Sequence, residues 1–393
     1  MTEPVRSPLL LYVHIPFCIH KCHYCDFNSH ERSNPDWSSY QLALTSELKY
    51  WAGNPIFSGR KLSSVFIGGG TPSLAPPELI ESVLQAAEKL LGFDENIEIS
   101  IEANPGTVDA NHFSAYRQAG VNRLSMGVQS LNDRELSWLE RIHDSKQAIT
   151  AFEVARNAGF NNINLDLIYG LPNQSLDQWL STLQTAVALG TEHLSCYQLT
   201  IEPHTKLATT HAVNPINIPD DDLAISMFTE TRKQLRSAGY EAYEISNFAK
   251  PGFKCLHNDS YWKYHDYIGI GAGAAGKWDD WSSENFAGIT RYSNIRRPES
   301  YIKSVTECSS AINSQESLGI QQAAGEAVWL ALRRADGIDR KAFLNRFGFD
   351  AWEHFSKQLN PWHKEKMLTV SDTVLFLTDS GITVADSISE SVL

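Results

Sequence analysis

Six times in the first 245 residues, a short β-rich apolar run gives way to a stretch with apolar residues three and four positions apart. The runs lie at 9–15, 64–67, 97–102, 123–128, 163–168 and 194–200; 40–51, 78–91, 148–158 and 176–189 are examples of the helical stretches. This alternation leaves few folds open. Parallel strands need a covering crossover between them, and they bury both faces. Gly53, Gly92, Gly120, Gly159 and Gly190 stand where helices should end in a left-handed cap. The strands are short and evenly spaced, so we expect an α/β fold closing as a partial (β/α)6 TIM-like barrel, not a flat open sheet.

Polar residues and glycines gather just after the strands: His14 and Pro16, Gly68 to Thr71, Glu102 to Pro105, Gln129, and Gly170 to Pro172. In a β/α barrel, the loops at that end build the active site.

Past 245 the pattern changes. Residues 246–317 are irregular, rich in Tyr, Trp, Gly and Asn, and read as the end of the barrel plus a connecting segment. Residues 318–393 read as a separate module, with helical runs at 319–334, 339–347 and 351–359 and strand-like runs at 367–377 and 381–385. Helices followed by a hairpin suggest a small winged-helix-like α+β domain. That module carries 10 acids against 8 Lys plus Arg, so it shows no basic groove and reads as a packing or docking domain. The whole chain has 46 acids against 33 Lys plus Arg, a net charge of −13, which argues against nucleic-acid or anionic-membrane partners. No window approaches 18 uninterrupted apolar residues, so a membrane-spanning segment is not expected. Met1 to Pro8, with Glu3 and Arg6, has no secretory apolar stretch, and the expected compartment is the cytoplasm.

The six cysteines are unevenly spread: Cys18, Cys22 and Cys25 fall within eight residues, while Cys196, Cys255 and Cys308 stand alone. A C-x3-C-x2-C loop can hold three corners of a [4Fe–4S] cubane and leave one iron open. The competing reading is a structural zinc ion with His20 or His23 as fourth ligand. No second C-x2-C half is present, which favours the cluster.

These cysteines, with Tyr24 before the last, resemble the signature of radical S-adenosylmethionine (SAM) proteins. The resemblance implies that the open iron is chelated by the amino and carboxylate groups of SAM, and that an electron from the cluster cleaves SAM to a 5′-deoxyadenosyl radical. Gly69, Gly70 and Thr71 in the GGGTP segment resemble the glycine-rich stretch that contacts the methionine moiety. Tyr12, Glu102, Gln129, Arg141 and Asp166 stand at positions similar to further SAM contacts. Singly, each is more readily a surface ion pair or a helix cap than a ligand contact. Together, in this order, they favour a ligand site.

Over nearly the whole chain the sequence resembles oxygen-independent coproporphyrinogen oxidase-like proteins. The dehydrogenases of that family carry a fourth cysteine two residues past the third, where this chain has Phe27. Phe27 and the segment His257-Asn258-Asp259-Ser260-Tyr261-Trp262 resemble the haem chaperone subgroup, in which that histidine is implicated in haem binding. The resemblance implies a chaperone that binds haem and passes it to haemoproteins, membrane-associated ones among them. Coproporphyrinogen III dehydrogenation by radical decarboxylation is the alternative, and a zinc-stabilised DNA-binding regulator a third. His257 offers an imidazole for haem iron, with Tyr261 and Trp262 to stack on the macrocycle; a hydrogen-bonded core histidine beside an aromatic pair is the competing reading. Relatives commonly have histidine where this chain has Ala275.

Overall fold

The computed structural model describes residues 7–282 and 285–393. Most of the N-terminal stretch on which the compartment reading rests, residues 1–6, lies outside the described residues.

Six parallel strands follow one another in chain order: β1 (Leu9–Ile15), β2 (Leu62–Gly69), β3 (Phe93–Ala103), β4 (Arg123–Gln129), β5 (Ile163–Tyr169) and β6 (His193–Gln198). The helices between them bury one face each. The helix Trp37–Ala52 is capped by Asp36, which accepts from the Ser39 N–H, and buries Tyr40, Ala43, Leu44, Leu48 and Trp51 at helical spacing. Strand β1 is buried along nearly its whole length, with Leu9, Leu11, Val13 and Ile15 in the main core. Each such side chain contributes roughly 1.5–3 kcal/mol of burial. Gly92, Gly120, Gly159 and Gly190 adopt positive φ as expected, whereas Gly53 is right-handed at φ −77°.

The region 246–317 is not irregular. It supplies a seventh parallel strand, β7 (Asp266–Ile270), on the free side of β1. Three antiparallel strands then extend the sheet: β8 (Ala275–Ser282), β9 (Asn285–Asn294) and β10 (Ile312–Gly319). Periodicity missed them because β10 is a largely exposed, mostly polar edge, and β8 buries Lys277 and Asp279. At the other edge, Asn247–Ala249 and Glu241–Ala242 add two short antiparallel strands. Among the described residues no ladder joins the two edges of this twelve-stranded sheet, which is a barrel left open.

Two polar joints fasten the extension. Glu47, fully buried on the first helix, accepts from the Gly271 N–H at 2.9 Å, the Asn294 amide at 2.6 Å and the Tyr301 hydroxyl at 2.6 Å. Burial nevertheless pushes its carboxyl up to about 7. At the opposite end of β7, Lys277 lies 3.2 Å from Asp266 and 2.5 Å from Asp279. Arg60 reaches Asp266 at 2.7 Å, and Arg346 reaches Asp279 at 2.6 Å.

Arg346 belongs to the C-terminal module. There the helices Ile320–Ala331, Arg340–Phe347 and Ala351–Lys364 pack on a three-stranded sheet of β11 (Ile338–Asp339), β12 (Leu368–Val370) and β13 (Val374–Leu377). This is the expected winged-helix-like arrangement. The run 381–385, expected as a strand, lies in short helices instead (Asp379–Ile382 and the start of Ala385–Glu390). Thr378 caps the first of these by accepting from the Gly381 N–H, a local bond that competes with strand pairing. A second core gathers Phe343, Phe347, Phe355 and Leu375 with Tyr264, Phe286 and Ile289 from the preceding segment.

Candidate functional site

The chain leaves β1 through Pro16 into a closed loop. Phe17–Cys18 pairs with His30–Glu31, and the Arg32 N–H donates to the Cys18 carbonyl at 3.0 Å. Within the loop, the Lys21 ammonium donates to the carbonyls of Phe27 at 3.0 Å and Ser29 at 3.3 Å. Cys18, Cys22 and Cys25 are all free thiols facing one cavity of about 520 Å³. Burial pushes the thiols of Cys18 and Cys25 up, and each is raised further by its cysteine neighbours. Three thiolates there need a shared cation. A cubane spreads its ligands over separate irons, and three cysteines around one cavity suit that donor set. His20 and His23 turn instead to Glu140, at 3.0 and 3.8 Å.

Ends of the five following strands complete the cavity wall. After β2 come Gly69, Gly70 and Thr71. A Cβ on Gly70 would meet the Phe17 carbonyl at 2.8 Å and the Cys18 sulfur at 2.9 Å, so only glycine lets this backbone lie against the cysteine loop. The Thr71 hydroxyl donates to the Cys18 sulfur at 3.3 Å. Glu102, near the end of β3, accepts from the Gly69 N–H at 3.0 Å. Burial first, and the nearby Asp166 second, push its carboxyl up to about 8. Asp166 on β5 accepts from Ser125 and Asn164, at 3.2 and 2.8 Å, and is itself raised, chiefly by burial. Two carboxyls so placed favour a bound cation or a set of donors between them. Gln129 ends β4 at a register shift with φ +67°. Arg141 donates to the Gly127 carbonyl at 2.7 Å and points a second nitrogen at the Cys22 sulfur, 3.7 Å away; its buried Nε has no partner. Tyr24 packs under the loop against Leu139, Ile168 and Leu171.

A second cavity of about 640 Å³ lies behind the first. The two share Phe27, Gly69 and Glu102 as a common wall. Its other sides come from Tyr12 and His14 of β1, Tyr261 and Tyr267, and residues of the antiparallel extension, including Ala275 and Arg296. His14 Nε2 lies 2.9 Å from the Asn28 carbonyl, which can only accept, so Nε2 carries the proton. Nδ1 therefore accepts from the Tyr12 hydroxyl at 2.9 Å.

Residues 12–186 match the Radical SAM superfamily, and residues 321–384 match the HemN C-terminal domain. Heme chaperone HemW of Haemophilus influenzae is 45% identical over 303 residues, 76% of this chain and 77% of that protein. Heme chaperone HemW of Bacillus subtilis is 33% identical over 374 residues, 94% and 95% of the two chains. The chain belongs to the HemW family. The coproporphyrinogen III oxidase HemN of Escherichia coli, described as a radical SAM enzyme, superposes with a TM-score of 0.82 at 25% identity, over 98% of this chain and 90% of that one. The radical SAM domain of the HemW family implies SAM and a [4Fe–4S] cluster.

Of the residues singled out in this HemW-family sequence, the first cavity gathers Cys18, Cys22, Cys25, Tyr24, Gly69, Gly70, Thr71, Glu102, Gln129, Arg141 and Asp166. Tyr12 is not among them; it faces the second cavity, stacked on Phe66. His257 faces neither. It is buried beneath Phe66 and Tyr261, with Nδ1 2.8 Å from the Ser64 hydroxyl and Nε2 unpartnered. Burial lowers its pKa to about 3. Tyr261 and Trp262 do not form one stacking face: Tyr261 lines the second cavity, while Trp262 turns to Arg333 of the C-terminal module. Successive helical residues point about 100° apart, and these two lie on the short helix Leu256–Trp262. Sequence reasoning missed Asn28, Tyr267 and Arg296 as cavity residues. Asn28 stands three residues past Cys25 and Tyr267 opens the segment Tyr267-Ile268-Gly269-Ile270-Gly271, but nothing in the sequence joins them to each other or to Arg296, because three distant segments supply them. Among the described residues no helix is long and apolar enough to cross a membrane.

Proposed function

We propose that this chain is a haem chaperone: it binds haem and transfers it to haemoproteins, and it carries a [4Fe–4S] cluster on Cys18, Cys22 and Cys25 with SAM in the same cavity. The observation that carries this reading is the meeting of the three cysteines with Glu102, Gln129, Arg141 and Asp166 on one cavity wall in a HemW-family chain. When bound, the cluster supplies one electron and an open iron for the methionine end of SAM. The protein's part is to hold and orient. Thr71 and Arg141 donate toward the sulfurs of Cys18 and Cys22. Glu102 and Asp166 offer acceptors for amine or hydroxyl groups, and Arg141 offers a cation to a carboxylate. We propose the same division of labour as the sequence suggested: residues 1–245 as the radical SAM core, 246–317 as its extension and 318–393 as a packing module.

Dehydrogenation of coproporphyrinogen III remains the second reading, favoured by the backbone match to HemN. Against it stands Phe27, 59% exposed at the wall between the cavities, where the dehydrogenases carry a fourth cysteine. Anaerobic reconstitution followed by parallel assays decides between them. A haem-specific Soret band without coproporphyrinogen turnover supports the chaperone. Multiple turnovers to harderoporphyrinogen or protoporphyrinogen would overturn it.

A further inference from the structure

We propose that the second cavity is the haem site, with a haem carboxylate on Arg296 and the macrocycle against Tyr261 and Tyr267. This rests on the haem-chaperone reading above and adds the place and the means of recognition. A porphyrin is a flat apolar ring with two carboxylates at one edge. A site for it needs room, aromatic faces and a free cation at the entrance. The cavity, at about 640 Å³, is in the size range of sites for organic ligands. Tyr261 and Tyr267 meet there with ring centroids 4.7 Å apart, and Tyr12 adds a third ring.

The cation is the deciding feature. Nearby Arg32 and Arg297 are both engaged with Glu299, at 2.8 and 3.7 Å. Arg296 has no carboxylate partner among the described residues; its Nε makes only a long 3.4 Å contact with the Asn28 side-chain oxygen. It is exposed at the rim of a chain whose net charge is −13, so a dianionic ligand finds its local attraction there. Glu102, on the opposite wall, offers a carboxylate no cation, so the acid edge of the ring turns to Arg296 at the rim.

Iron does not direct the recognition. Both nitrogens of His14 are engaged, and His257 lies behind Tyr261. The ring and its carboxylates are what the walls read, so metal-free protoporphyrin IX binds comparably to haem.

The test uses the full chain, reconstituted anaerobically and titrated with haem, protoporphyrin IX and protoporphyrin IX dimethyl ester. Ala275 is exposed to the cavity at the start of β8, so Ala275→Trp fills the space without entering a core. We expect Ala275→Trp to weaken all three ligands. We expect Arg296→Gln to weaken the two free acids by about tenfold, the worth of one charge-assisted contact, and to leave the ester unchanged. Cluster absorbance and circular dichroism report folding; should Ala275→Trp misfold, the Arg296→Gln comparison of acid with ester decides alone. Haem binding at wild-type strength in both variants would overturn the site while leaving the chaperone reading standing. An ester bound as tightly as the acid by the wild type would overturn carboxylate recognition. Failure of the wild type to bind any porphyrin would overturn both readings.

Discussion

The Glu102 side chain accepts the Gly69 N–H at 3.0 Å, and this bond carries the pairing of β2 and β3 past the end of their ladder into the wall between the two cavities. Gly69 holds φ +126°, and a Cβ there would meet the His14 ring and the Ile15 carbonyl, each at 2.8 Å. The wall is thin because glycine makes it, and a single half-buried acid looks into both spaces.

That acid makes the first prediction. Its carboxyl is raised to about 8, so the folded chain keeps a proton that the unfolded chain loses near 4.5. Ligand-free stability therefore falls as pH rises between those values. A donor-rich ligand needs the ionised form, so SAM affinity should rise with pH up to about 8 and binding should release a proton below it. Calorimetry in buffers of different ionisation enthalpy measures this. Glu102→Gln should bind more weakly and lose the pH dependence; a retained dependence would assign the proton elsewhere.

Only the clustered cysteines should matter for iron. Reconstituted protein should carry about four iron atoms per chain. Replacing Cys18, Cys22 or Cys25 by Ser should each abolish the cluster absorbance. Cys196 and Cys255 are buried with their thiols pushed up, the latter to about 12, and neither is a ready thiolate ligand. The triple Ser variant at 196, 255 and 308 should keep its spectrum.

Gly70→Ala places a methyl on the Phe17 carbonyl and the Cys18 sulfur. The loop must shift, so cluster retention in air should shorten markedly. The thermal midpoint of the apo chain should fall less, because of the two residues the methyl meets only Phe17 belongs to the main core. Equal loss of both would mean that Gly70 serves the barrel as a whole.

His257→Ala should act on stability. It removes the Ser64 bond and leaves a cavity under Phe66. The expected cost is about 2–4 kcal/mol in denaturant unfolding. Any porphyrin bound at low temperature should keep its wild-type Soret position; a shifted band would make this histidine an iron ligand after all.

Arg346→Met should loosen the C-terminal module. Asp279 would keep Lys277 but lose its second cation. A cost of about 2–3 kcal/mol is expected, less than for an isolated buried pair. Faster proteolysis within residues 318–393 would report it.

The chain itself determined the barrel and its working end. β1 and β5 announce themselves because parallel strands are buried on both faces and so read as unbroken apolar runs. The C-x3-C-x2-C loop and the strand-end residues were equally legible, since each lies next to a strong strand signal. Only the tertiary structure decided what stands around β7 to β10. β7 is short and starts on a buried Asp266, β8 buries Lys277 and Asp279, and β10 is largely exposed, so no hydrophobic period marks the group. It likewise put Tyr12 on the second cavity and His257 under Phe66. A motif states which residues are close along the chain. Which way each side chain faces depends on strand register and helix phase, and those are set by contacts between segments as distant as Asn28 and Arg296.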